Sequence, residues 1–431
     1  MRYVSRALRN MPLLACLLAA ALFLVIDYVA PVAVKAQQPA AVTVFEGARL
    51  ITGDGSAPVE SSAFIVANGR FTAVGRKGQL KVPAGAAHVD LTGKTVMPAI
   101  VDAHKHLAVT RSELIDQLQH FAYYGVGAVM SLGQDTGDVA YQVRAETIPN
   151  AARFRTAGRG ITAPEPGRTQ APFWVTSVAE VRKDVQEMAA KRVDIIKIWV
   201  DDRDHTVTKL SPELYTAAID EAHKHRLRAI AHIFTLEDAK GVLRAGIDAF
   251  AHSVRDKDID DEFLQMMKAK PKMIVDPNLP DRGVRVDRSW LRDSMTAAEF
   301  QKVQAESKDD PKAAQFFGIQ SRNLGKLNAA GIKIALGTDG PIPWAAHEEM
   351  ADMVASGMTP AQVIVAATRN AAELANVPDA GTVAPRMSAD FLVLEANPLD
   401  DITNTRRIST VYLRGAQVDR AAQKARWTSG S

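Results

Sequence analysis

Residues 228–252 open with Arg228-Ala229-Ile230-Ala231-His232, continue through an amphipathic stretch from Leu236 to Ala245, and close with Asp248-Ala249-Phe250-Ala251-His252. Two short apolar runs, each ending in histidine, flank one helix's worth of sequence. That is the rhythm of consecutive strand–helix units, and it puts the two histidines at equivalent strand ends. Working outward, the same alternation fills residues 98–379. Candidate strands lie near 100–106, 126–132, 153–158, 194–200, 228–232, 248–252, 273–277 and 333–338, with helical patterns such as Val178–Ala190 and Pro212–His225 between them. Eight units over about 280 residues predict an α/β fold, a (β/α)8 TIM barrel.

The flanks have a different texture. Residues 42–97 carry short alternating runs (Thr43-Val44-Phe45, Ala63-Phe64-Ile65-Val66, Phe71-Thr72-Ala73-Val74, His88-Val89-Asp90-Leu91) broken by Gly53-Asp54-Gly55 and Asn68-Gly69. Residues 380–425 repeat it, with Asp390-Phe391-Leu392-Val393-Leu394 and Thr410-Val411-Tyr412-Leu413. Both chain ends are therefore expected to build one small β-sandwich domain around the barrel. Residues 281–312 break the rhythm, with 14 charged residues in 32. They fit either a solvated surface helix or a lid over the barrel mouth.

Hydrophobic residues make up 47% of the 431 and charged residues 23%, the balance of a folded soluble enzyme; a disordered or fibrous chain is excluded. The net charge of +3 comes from the first 36 residues, which hold Arg2, Arg6, Arg9 and Lys35 against Asp27. Without them 48 basic residues face 48 acidic ones, so no electrostatic case for nucleic acid exists. Arginines before the uncharged run Met11–Ile26, with Val34-Lys35-Ala36 ahead of Gln37, predict a signal peptide over 1–36 and an exported, periplasmic or secreted protein. An uncleaved leader would instead anchor the chain to a membrane. Cys16, the one cysteine, lies in that leader, so disulfides and thiolate metal ligands are excluded from an exported chain.

In a TIM barrel the functional side chains sit at the C-terminal ends of strands. The first strand ends Asp102-Ala103-His104-Lys105-His106, where a period of two aims His104 and His106 into the mouth and Lys105 elsewhere. His232 and His252 close the fifth and sixth strands. The eighth runs into Gly337-Thr338-Asp339-Gly340, where Asp339 is either a turn-capping residue or a ligand beside the first strand. Lys197, in Asp194-Ile195-Ile196-Lys197-Ile198-Trp199-Val200, shares a face with Ile195 and Trp199, taken as the interior. A lysine there either pairs with Asp339 or Asp201, or loses its proton through burial. A neutral amine can add carbon dioxide and become a bridging carbamate. Five strand ends thus offer four imidazoles, one aspartate and one potential carbamate. The charge balances two divalent ions, zinc first. Loop residues His205, Arg255, Asp256, Asn278, Trp344 and His347 are candidate substrate contacts. Arg255 could grip a carboxylate or pair with Asp256 or Asp258, and His347 with Glu348 could simply open a helix.

The chain resembles the amidohydrolase superfamily, within it the imidazolonepropionase-like and Xaa-Pro-dipeptidase-like metal-dependent hydrolases. Thr95-Val96-Met97-Pro98 before the His-x-His strand, Ile196-Lys197-Ile198, His232, His252, Gly337-Thr338-Asp339, and Ser388–Leu394 with Asn397-Pro398-Leu399 carry the resemblance over residues 42–420. Ala99 departs from the glycine usual after that proline. The resemblance implies one metal on His104, His106 and Asp339, a second on His232 and His252, and carboxylated Lys197 bridging them, with bicarbonate as the source. It implies hydrolysis of a carbon–nitrogen bond, with Asp339 moving the proton from a metal-bridging hydroxide to the leaving amine. N-acyl amino acids or dipeptides are the expected small-molecule substrates. A cyclic amide, lactone or phosphotriester is the alternative for the same site, and a non-catalytic scaffold or a homo-oligomer completes the readings.

Overall fold

The computed structural model describes residues 42–428; the leader expected over 1–36 lies outside them. The N-terminal region holds β1 (Thr43–Glu46), β2 (Arg49–Leu50), β3 (Ser62–Ala67), β4 (Arg70–Arg76), β5 (Ala87–Asp90) and β6 (Thr95–Pro98). The middle holds β7 (Ile100–Lys105), β8 (Val126–Ser131), β9 (Arg153–Thr156), β10 (Ile161–Thr162), β11 (Phe173–Trp174), β12 (Ile196–Val200), β13 (Ala229–Ile233), β14 (Ala249–Ala251), β15 (Ile274–Asp276) and β16 (Lys333–Ile334). The last strands are β17 (Phe391–Leu394), β18 (Ile408–Leu413) and β19 (Ala416–Gln417).

The middle strands form two parallel sheets. One runs β7-β8-β9 and the other β11-β10-β12-β13-β14-β15-β16. Backbone hydrogen bonds join them at both margins. Ala103 N–H donates to Leu336 O at 3.0 Å, and Asp194 N–H donates to Thr156 O at 2.9 Å. Helices follow the strands because their apolar stripes need cover. Val178–Ala190 starts at a Ser177–Glu180 capping box and buries Val181, Val185 and Met188. Leu236–Ala245 ends at Gly246, whose φ of 99° supplies the left-handed cap.

Strand residues divide between two cores. Ile196, Ile198 and Val200 pack with the helices. Ile195 joins Val101, Ala128, Ile230, Ala249 and Ile274 on the other face. Lys197 therefore stands on the face of that second core, where a period of two puts it.

The flanking strands form two further sheets, β4-β3-β1-β5 and β19-β18-β17-β6-β2, so both chain ends contribute. Phe45 bridges them, 5.1 Å from the rings of both Phe64 and Phe391, and Phe391 stacks on Tyr412 at 4.6 Å. Residues 281–312 mix exposed and packed parts. Their helix Ala297–Glu306 buries nothing, while the turn Ser289–Ser294 seats Leu291 against Tyr123 and Tyr124. No helix among the described residues is long and apolar enough to cross a membrane.

Candidate metal centre

The strand register brings the chemistry together. Trp199 pairs with His232, His232 with Ala251, and Ala251 with Asp276, so the ends of β12 to β15 share one level. Asp339 arrives from beyond β16, and its N–H donates to His104 O at 2.9 Å. Its carboxylate lies 3.0 Å from His106 Nε2, 3.6 Å from His104 Nε2 and 3.6 Å from His252 Nε2. Asp339 and His252 both hold left-handed backbone, φ 46° and 78°. Such strain in non-glycine residues survives where surrounding structure fixes it, and it concentrates at functional sites. His104, His106 and Asp339 put one ligand atom each within 4.8 Å of the others. The His232 ring sits 4.7 Å from that of His252.

Two further carboxylates, absent from the sequence reading as site residues, orient the imidazoles. His104 Nδ1 lies 3.0 Å from Asp276 Oδ2 and His232 Nε2 lies 2.8 Å from Asp201 Oδ2. Each fixes one ring nitrogen, and in His104 this leaves Nε2 facing Asp339 at 3.6 Å. Asp276 ends β15, a strand the sequence did place, but no pattern marked its carboxylate. Gly337 makes the close approach possible. A Cβ there would stand 2.5 Å from Asp276 Oδ2 and 2.6 Å from His104 Cβ.

Burial, reinforced by Lys197, pushes His104 well below its usual pKa; burial does the same to His252, and lowers His232 to about 3. Burial thus disfavours the charged imidazolium in all three. Burial would raise Asp339, but His104 and His106 outweigh it and hold the carboxylate ionised. Lys197 is completely buried and makes neither of the ion pairs considered for it. Its Nζ has no hydrogen-bond partner and stands 5.1 Å from the Trp199 ring centre. Burial brings its pKa down to about 7, so a large share is free amine at neutral pH.

These residues fit a metal. The nitrogens His104 Nε2, His106 Nδ1, Lys197 Nζ and His252 Nδ1 are buried without partners. Leaving so many polar atoms unsatisfied is costly unless a ligand completes them. A cavity of about 190 Å³ opens onto the cluster, lined by His106, His232, His252 and Asp339 below, and by Gln134, Glu165, Arg168 and Arg203 on its wall. A larger cavity of about 570 Å³ touches Thr338 and is otherwise lined by residues 279–290, the helix Ala345–Ala355 and residues 403–407, with none of the clustered histidines.

Three expected substrate contacts stand elsewhere. The His205 side chain is 88% exposed and paired with Asp202, because three consecutive left-handed residues, Arg203 to His205, turn it outward. Trp344 packs with Tyr124. His347 is buried, with Nδ1 3.0 Å from Thr405 Oγ1 and Nε2 2.9 Å from Tyr124 O, a structural histidine. Arg255 differs. Asp256 is engaged by Leu236 N–H and Lys257, and Asp258 by Arg322, so neither forms the pair considered for it. Asn278 ends in the left-handed region with Oδ1 buried and unpartnered.

The sequence profile of the amidohydrolase family matches residues 95–418. The chain belongs to the amidohydrolase family. This amidohydrolase is 26% identical over 388 residues to the imidazolonepropionase of Deinococcus radiodurans, covering 84% of this chain and 92% of that one. It is 26% identical over 353 residues to an uncharacterized protein of Mycobacterium tuberculosis, covering 77% and 88%. Among solved structures it superposes on a provisionally assigned prolidase from Bifidobacterium longum, with a TM-score of 0.73, 25% identity and coverage of 89% and 98%. Membership places this amidohydrolase among metal-dependent hydrolases of carbon–nitrogen bonds.

Proposed function

We propose that this amidohydrolase is an exported enzyme with two divalent metal ions, zinc first, that hydrolyses the amide bond of N-acyl amino acids or dipeptides. In this reading the two parallel sheets close into one (β/α)8 barrel through their marginal hydrogen bonds, and the terminal sheets pack as a β-sandwich. The observation that carries the proposal is Lys197. A fully buried, partnerless amine whose pKa burial lowers to about 7, near His104, His232 and His252, favours the neutral form to which carbon dioxide adds. His104, His106, His232, His252, Asp339 and carboxylated Lys197 would together hold the ions.

Bound there, such ions would lower the pKa of a water and polarise the scissile carbonyl. The chain's own residues do the rest. Asp276 and Asp201 hold one nitrogen each of His104 and His232, so the ligating nitrogens carry lone pairs. Asp339, held by His106, takes the proton of the attacking water on its carboxylate and returns it to the nitrogen as the carbon–nitrogen bond breaks. Arg168 and Arg203 line the cavity, both paired with Glu165 and Arg203 also with Asp201, so the wall carries compensated charge. The imidazolonepropionase relative and the prolidase-like structure support carbon–nitrogen chemistry. The test is a screen of N-acyl amino acids, dipeptides, cyclic amides and lactones with metal-loaded protein. Turnover confined to the last two would overturn the substrate assignment.

A further inference from the structure

Lys105 separates the two histidines of His104-Lys105-His106, and nothing in the proposed chemistry uses it. Its side chain is nonetheless fully committed. It is 1% exposed, yet carries an ammonium whose Nζ donates to Thr338 Oγ1 and to Ile342 O (3.1 Å), lies 3.0 Å from Asp102 Oδ2 and sits 4.8 Å from the Phe121 ring centre. Asp102 is wholly buried, accepting from His104 N–H at 3.2 Å and from Thr338 Oγ1 at 2.8 Å.

Every one of these bonds ends on β7 or on the segment 338–342. Asp339 lies inside that segment. Its own backbone is held by one hydrogen bond to His104 O, in a left-handed conformation that favours glycine. A left-handed aspartate on a short loop would swing its carboxylate by ångströms if the loop were released. A buried ion pair gives little net stability, but one with all its donors satisfied can fix a single geometry.

We infer that Lys105 is a positioning residue for Asp339: a buried ammonium that ties the loop after β16 to β7 and so fixes the carboxylate between His104, His106 and His252. Lys105 touches no substrate and acts through Thr338 and Ile342. The consequence for turnover rests on the proposed role of Asp339; the clamp itself does not.

The test uses the full-length protein and three variants. Lys105→Met removes the ammonium but strands Asp102. Thr338→Val therefore accompanies it, keeping the ion pair and deleting the hydroxyl link, and Thr338→Ser restores that link. Amide hydrogen exchange over residues 337–343 is measured without metal, and kcat and KM with metal. Lys105→Met and Thr338→Val are expected to speed exchange in that segment about ten-fold, with exchange in β17 unchanged, and to lower kcat about ten-fold or more at nearly constant KM. Thr338→Ser should recover both. Wild-type exchange or wild-type kcat in folded Lys105→Met, or in Thr338→Val where Lys105→Met does not fold, would overturn the inference. If the wild type hydrolyses no amide, the proposed function fails and the exchange measurement still decides the clamp.

Discussion

His104 Nδ1 and Asp276 Oδ2 lie 3.0 Å apart, and neither side chain is exposed to solvent. Burial and the nearby Asp102 push Asp276 well above the usual carboxylate range, so this is a reluctant anion placed against a reluctant imidazolium. Such a pair is poor at adding stability and well suited to fixing which ring nitrogen of His104 carries hydrogen.

Asp276→Asn keeps the size of the side chain and removes its charge. Metal affinity at the His104 position should fall by about 10- to 100-fold, read by competition with a chromophoric chelator. An unchanged affinity would show that Asp276 only fills space.

Gly337→Ala tests the packing that lets the pair form. The new Cβ would sit 2.5 and 2.6 Å from the two Asp276 oxygens, neither of which belongs to a flexible surface chain. The variant should lose stability by about 1–3 kcal/mol in chemical denaturation and bind metal more weakly. Wild-type behaviour in both measurements would refute the close approach.

Acid stability is expected to depend on His347. Burial, countered only in part by its bond to Tyr124 O, lowers its pKa from 6.5 to about 4. Between those values the unfolded chain binds a proton that the folded chain refuses, so its contribution is complete above pH 6.5 and declines as pH falls to 4. The loss from this group is about 3 kcal/mol, judged from a shift of roughly two and a half units. His120, which burial also lowers to about 4, contributes in the same window. The difference in slope between wild type and His347→Gln isolates this one, and equal slopes would rule it out.

Lys197 separates two chemistries. As a carbamate it supplies an anionic bridge; as an ammonium it would repel both ions. Lys197→Ala and Lys197→Arg should each lose most metal and activity, short carboxylic acids should partly rescue Lys197→Ala, and bicarbonate should speed metal loading of the apoprotein. A Lys197→Arg protein retaining two metals and near-normal turnover would end the carbamate reading.

The fold was legible because its signals are local. Helix Val178–Ala190 begins at a capping box and ends as its apolar period does, and all eight expected middle strands are present, seven of them shortened by one to several residues and the fifth shifted by one. The histidines were legible because strand ends in register make them recur. Asp276 was not: a single aspartate after Ile274-Val275 looks like any strand terminus, and only the fold brings it to His104 across 172 residues. Asp201 was considered only as a partner for Lys197, whereas it holds His232. His205 and His347 show the converse. Both are polar residues near strand ends, but a left-handed turn sends one into solvent and a helix buries the other against Thr405. Loop direction is decided by φ and packing, which no periodicity encodes.

Metal content decides whether this amidohydrolase works through the His104–His106–Asp339 cluster. Protein purified without chelator, analysed by mass spectrometry for elements and assayed on N-acyl amino acids and dipeptides, should contain about two divalent ions per chain. Activity should disappear on chelation and return with zinc. Protein that holds no metal, or hydrolyses amides equally well after chelation, would contradict the account.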